Sequence, residues 1–127
     1  MRGIRRGASR TRRTDTMAAL DFDLSTEHDA NGRVRISVRG ELDLATAGRL
    51  EEAIAHADGR PLLVDLRGLS FMDSTGVRVL LQASEEASRA GAELRFVMPE
   101  NGDARVTMVE TGIHAILPLA DPPEEPA

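Results

Sequence analysis

Hydrophobic and polar positions change period several times along this chain, and each change marks an element. Residues 19–25 (ALDFDLS) alternate apolar and polar, which predicts a strand. Residues 33–40 (RVRISVRG) alternate more cleanly, with Val34, Ile36 and Val38 on one face and Arg33, Arg35 and Arg39 opposite. Between them, Asn31-Gly32 suits a type I′ turn, so a hairpin is expected. The period then lengthens. Ala47, Leu50, Ile54 and Ala57 recur at helical spacing, while Arg49, Glu51 and Glu52 avoid that stripe. Asp43 or Thr46 is available to cap this helix, and Gly59 ends it just before Pro61.

Residues 61–66 (PLLVDL) form a short continuous apolar run, the mark of a strand buried on both faces. A loop follows, and Ser74, in the run Asp73-Ser74-Thr75-Gly76, comes straight after it and straight before a helix. From Val77 a helix is expected with Leu80, Leu81, Ser84, Ala87 and Ser88 on one face, ending near Gly91. Residues 92–99 (AELRFVMP) read as a strand stopped by Pro99. Residues 101–112 read as a short helix with Val106 and Val109 facing in and Gly112 at its end; residues 115–120 (AILPLA) read as a last short strand. The order is β-β-α-β-α-β-α-β: an α/β fold whose opening hairpin and later helical crossovers make the sheet mixed.

Composition narrows the chemistry. The 127 residues suffice for one domain. With three Phe and no Trp or Tyr, the core is aliphatic and no aromatic platform for single-stranded nucleic acid exists. The absence of Cys removes disulfides and thiol chemistry; the absence of Lys removes a phosphate-loop lysine, a Schiff base and a Ser-Lys dyad. The net charge of −5 is unevenly spread, +5 over residues 1–17 and −10 over residues 18–127. An acidic domain disfavours direct nucleic-acid binding. The Arg-rich segment has neither the apolar core of a secretory signal nor an amphipathic face. It is expected to be a disordered tail, or the product of an upstream start with Met17 the true one. The expected domain spans residues 18–120, followed by a frayed polar tail, 121–127. No run approaches the ~18 apolar residues of a membrane span, so the expectation is a soluble, cytoplasmic protein.

Catalysis finds little support. His28, His56 and His114 lack partners at metal-ligand spacing. Ser74 has no glycine two residues before it, so the strained nucleophile elbow is missing, and no dinucleotide or phosphate-loop glycine pattern occurs. No metal, no cofactor and no enzymatic activity are expected. What remains is a hydroxyl at a helix start. Asp73 or Ser74 capping that helix is worth about 1 kcal/mol. A phosphate on Ser74 would add roughly −1.5 to −2 charges where the helix dipole is positive, changing what a partner meets without disturbing the fold. Gly76 would let another chain approach this turn closely.

Residues 40–46 (GELDLAT), 69–81 (LSFMDSTGVRVLL) and 110–119 (ETGIHAILPL) together resemble the STAS domain of bacterial anti-sigma factor antagonists. The resemblance implies a mixed β-sheet with helices packed mainly on one face. It implies binding to an anti-sigma factor serine-protein kinase, which frees a sigma factor for transcription. That kinase would phosphorylate Ser74 and weaken the complex, and a PP2C-type phosphatase would restore it. Carried over by position, Asp73, Thr75 and Gly76 complete the phosphoacceptor turn. Asp43, with Thr46 in the same loop, falls at the kinase contact. A monomer or weak dimer is expected, with no direct nucleic-acid or membrane partner. The same resemblance admits an alternative: a STAS subunit of a phospholipid-transport ABC complex or stress-signalling scaffold, with no phosphate cycle. Where family members end in a further helix, this chain has DPPEEPA.

Overall fold

The computed structural model describes residues 21–123. The expected tail at 1–17 and the last four residues lie outside that range, as do Ala19 and Leu20 of the first expected strand. The elements are β1 (Phe22–His28), β2 (Val34–Leu42), α1 (Ala47–His56), β3 (Leu62–Met72), α2 (Ser74–Ala90), β4 (Leu94–Val97), α3 (Gly102–Glu110) and a 3-10 turn (Ile113–Ala115). The sheet order is β1-β2-β3-β4. β1 runs antiparallel to β2, while β2–β3 and β3–β4 are parallel, each parallel step being bridged by a helix. The mixed sheet predicted from the alternation is therefore present. The expected last strand contracts to a single parallel bridge, Phe96 with Leu119, held by Phe96 N–H to Pro118 O (2.9 Å) and Ala120 N–H to Phe96 O (2.8 Å).

One face of the sheet is the core. Val34, Ile36 and Val38 of β2, Val64 and Leu66 of β3 and Phe96 of β4 pack with Ala47 and Leu50 of α1, Val79, Leu80 and Ala83 of α2, and Ala104 and Met108 of α3. All three helices thus bury their apolar stripes in one cluster. The Arg49 guanidinium lies 5.0 Å from the centroid of the Phe22 ring, which also ties α1 to the edge strand.

Several local expectations change. The β1–β2 turn is not type I′, because Asn31 does not adopt positive φ; only Gly32 does (φ 84°). Asp29 and Arg33 close a three-residue loop, with Asp29 Oδ1 accepting from the amides of Asn31 (2.8 Å) and Arg33 (3.0 Å). The aspartate side chain organises the turn, so a second left-handed residue is unnecessary. Val106 and Val109 do not face in: they are half exposed, and Ala104 and Met108, one turn apart, fill the core instead. On α2 the inward face is Gly76, Val79, Leu80 and Ala83, with Ala87 partly buried and Ser88 exposed.

β3 runs to Met72, well beyond the expected six residues, and swallows the expected loop. Its buried apolar positions step by two and then by three: Leu62, Val64, Leu66, Leu69, Met72. Each three-residue step coincides with a register shift against β2, between Ser37 and Arg39 and again between Gly40 and Glu41. These bulges return β3 to the core after each extra residue and bring Met72 opposite Leu42.

Nor is β3 apolar on both faces. Asp65, 5% exposed, lies on the face away from the core. Its Oδ2 meets Arg67 Nη2 at 2.8 Å and Arg35 Nη2 at 3.2 Å, and its Oδ1 accepts from the Arg67 amide at 3.1 Å. Burial pushes the Asp65 carboxyl up; hydrogen bonds from the Arg67 side chain and backbone, with the charges of Arg67 and Arg35, outweigh it and hold the group below its ordinary 3.8. Because the folded value is depressed, this stabilisation is complete above the unfolded value and is lost as pH falls through the folded one. Asp65→Asn should lower unfolding stability by about 2 kcal/mol at neutral pH. The gap between variant and wild type should narrow only below the ordinary carboxylate range, as read by urea denaturation across pH; a gap constant into strong acid would contradict this account.

Candidate functional site

Parallel pairing carries the C-terminal ends of β2 and β3 to the same edge of the sheet, where both chains turn into helices. Leu42 and Met72 are register partners, and the next amide, Asp73 N–H, donates to Leu42 O at 3.2 Å. The GELD segment that ends β2 and the DSTG segment that starts α2, 30 residues apart in sequence, are thereby adjacent in space. This is the edge of parallel strands where α/β folds commonly place their sites.

Asp73 is the N-cap of α2, in extended conformation (φ −105°, ψ −170°). Its Oδ1 accepts from Thr75 N–H at 2.9 Å and Gly76 N–H at 3.2 Å, and its carbonyl accepts from Val77 N–H at 3.1 Å. One residue, Asp73, separates strand from helix, so no loop precedes Ser74. Ser74 occupies the first helical position and is exposed; Thr75 is half-buried. The helix dipole favours an added phosphate at this end, but the amides that could bind one are limited. Asp73 already engages those of Thr75 and Gly76, leaving only Ser74's own amide among the described residues of that turn.

Gly76 is buried, and the surface it admits is the chain's own. A Cβ there would lie 2.5 Å from Met72 Cγ, 3.0 Å from Leu42 O and 3.1 Å from Leu42 Cδ2. Glycine lets the first turn of α2 sit directly on the paired strand ends, so the close approach seen here is by the chain's own strands. Thr46, 2% exposed, is likewise internal. Its Oγ1 accepts from Asp43 N–H (3.0 Å) and donates to Glu41 O (2.8 Å), locking the GELD loop from inside. Neither Thr46 nor Asp43 caps α1 through its side chain; Asp43 Oδ1 instead accepts from Ala45 N–H at 3.0 Å within the preceding turn. The half-buried Asp43 and Asp73 therefore share one edge of the sheet with the exposed Ser74 and with Leu44, 79% exposed. Sequence reasoning passed over Leu44, although an apolar residue within a polar loop was the available signal.

The histidines are engaged elsewhere. His56 Nδ1 is 2.8 Å from Glu52 O and His114 Nδ1 is 3.1 Å from Met108 O. His28 lines a groove of about 500 Å³ with Arg33, Pro61 and Arg95 at the other end of the parallel strands. Among the described residues no group of His, Asp and Glu is placed to hold a metal ion, and no helix is long and apolar enough to cross a membrane.

Residues 24–125 match the STAS domain. The chain belongs to the STAS family of anti-sigma factor antagonists. The anti-sigma-F factor antagonist RsfB of Mycobacterium tuberculosis is 39% identical to this STAS domain over 89 residues, covering 68% of this chain and 70% of its own length. The crystal structure of an anti-sigma factor antagonist from Mycobacterium paratuberculosis superposes with a TM-score of 0.68 at 30% identity, covering 80% of this chain and 86% of that one. The Bacillus cell-fate determinant SpoIIAA, solved in its phosphorylated form, shares the fold at a TM-score of 0.60 and 24% identity, covering 80% of this chain and 92% of its own.

Gly76→Ala should destabilise this STAS domain by about 1–3 kcal/mol, because the clash involves backbone as well as side chains. Asp73→Ala should cost about 1 kcal/mol through the lost cap. Thermal unfolding monitored by circular dichroism checks both, and a Gly76→Ala variant as stable as wild type would show that the strand ends yield freely.

Proposed function

We propose that this protein is an anti-sigma factor antagonist that binds an anti-sigma serine-protein kinase, releases a sigma factor, and is switched off by phosphorylation of Ser74. The observation that carries this reading is the placement of one exposed hydroxyl at the first position of α2, on an edge otherwise locked by buried contacts. The kinase transfers the γ-phosphoryl group of ATP to Ser74 Oγ; the bond to ADP breaks and the hydroxyl proton leaves. A PP2C-type phosphatase hydrolyses the ester and restores the hydroxyl. The kinship with RsfB, itself an anti-sigma-F factor antagonist, supports the partner class.

The physical basis of the switch is local. The unmodified Ser74 hydroxyl is small and neutral, so a partner desolvates it at modest cost. Phosphorylation adds roughly −1.5 to −2 charges at that point. A partner packed on Asp43, Leu44 and Ser74 must then bury a dianion beside two existing negative charges, and burying an uncompensated charge is heavily penalised. Neither Thr46 nor Gly76 touches the partner in this reading; both hold the surface in shape.

Incubation with the cognate kinase and ATP should give one phosphate, mapped by mass spectrometry to Ser74 and absent from Ser74→Ala. Ser74→Asp should weaken kinase binding at least tenfold, a difference of about 1.4 kcal/mol, with an unchanged circular dichroism spectrum. Modification at another residue, or equal affinity for Ser74→Asp and wild type, would overturn the proposal.

A further inference from the structure

Most of the first-turn amides of α2 are already engaged. Asp73 Oδ1 takes the N–H groups of Thr75 and Gly76, so a phosphate on Ser74 finds only Ser74's own amide there. Its neighbours are unfavourable as well. Asp73 precedes it, Asp43 lies across the paired strand ends, and Glu41 sits at the end of β2. On α3, whose Gly102 lies close to Ser70 O, the first turn carries Asp103, and the Arg105 Nη1 donates to Pro99 O at 2.8 Å. A cation from the fold would offset part of this repulsion.

Arg78 is positioned to supply it. It lies four residues after Ser74 on α2, hence on the same stripe one turn further along. It is exposed, and its Nη1 donates to the neutral Gln82 Oε1 at 3.2 Å. Long side chains on a helix lean towards its N-terminus, over the preceding turn, which here is the turn of Ser74. A guanidinium also offers a planar fork suited to two phosphate oxygens.

We infer that Arg78 is the positioning residue for a phosphate on Ser74: it leaves Gln82, pairs with the phosphate within α2, and offsets the Asp43 and Asp73 carboxylates. This inference rests on the assignment of Ser74 as phosphoacceptor. It explains how an acidic helix start accepts a dianion without uncapping. The modified surface then presents a closed phosphate–guanidinium pair, and a partner must disrupt that pair or bury it.

The test separates this inference from its premise by installing phosphoserine at position 74 during translation, so that no kinase is needed. The second ionisation of the phosphate is followed by phosphorus NMR in the otherwise wild-type chain and in Arg78→Gln. The midpoint should be lower with Arg78 present by roughly 0.15–0.4 pH units, the size expected of a helical ion pair. The Arg78 Nε–H resonance should move with the same midpoint, and Arg78→Lys should recover part of the shift. Identical midpoints in wild type and Arg78→Gln, with the Arg78 resonance unmoved, would overturn the inference while leaving the kinase assay at Ser74 to stand or fall separately. Because Arg78 is exposed, the unmodified Arg78→Gln protein should keep the wild-type circular dichroism spectrum, which guards the comparison against a folding defect.

Discussion

The site is built on the meeting of two parallel strand ends. Leu42 and Met72 pair across β2 and β3, and the Asp73 amide bonds to the Leu42 carbonyl. Gly76 then lets α2 rest on both residues with no intervening side chain. Every feature that makes Ser74 accessible follows from this join. The helix begins one residue after the strand, its cap is the intervening aspartate, and the hydroxyl after the cap points from a position that two strands and a helix jointly hold. A serine on a longer loop would be equally exposed but would not present its neighbours in a fixed arrangement. Sites on regular elements are more exact than sites on loops because the supporting packing fixes each side chain's origin.

The two halves of that join were unequally legible in the sequence. β1, β2 and the helices announce themselves by period, and the convergence of GELD with DSTG follows once β2 and β3 are known to be parallel neighbours. The length of β3 was not legible in the same way, because its apolar positions step by three where bulges intervene. A strand with two register shifts loses the period-two signal by which strands are recognised. The spacing Leu66, Leu69, Met72 looks helical or irregular until the partner strand is seen. Val106 and Val109 misled for a different reason. Valine is more hydrophobic than alanine, yet the face of α3 that meets β3 has room for Ala104, and hydrophobicity alone does not say which stripe fits. The hairpin turn was misread because Asp29 performs through its side chain what a second left-handed residue would otherwise do.

At the site itself, residue types were legible and roles were not. Gly76 and Thr46 read from sequence as parts of a contact surface; they are buried, and they hold the strand ends and the turn before α1 from within. Small and hydroxyl-bearing residues serve close packing and partner recognition equally well, so only burial distinguishes the two. Asp73 carried the opposite ambiguity. As a cap it was expected, but capping also removes the open amides that the same helix start seemed to offer an added phosphate.

That competition bears on how such a surface can switch. A modification that worked by uncapping α2 would spread into the core, since the first turn packs on Leu42 and Met72. One compensated within the helix leaves the packing alone and alters only the charge and hydration of the exposed edge. In the second case no alternative conformation of the domain is required. The two protein states differ in what a partner must desolvate, and that differential interaction is by itself enough to shift a binding equilibrium. The buried ion pair of Asp65 with Arg35 and Arg67, on the far face of the same strand, reinforces the distinction: β3 is anchored on both sides along its length, and its end is therefore a poor lever but a stable platform.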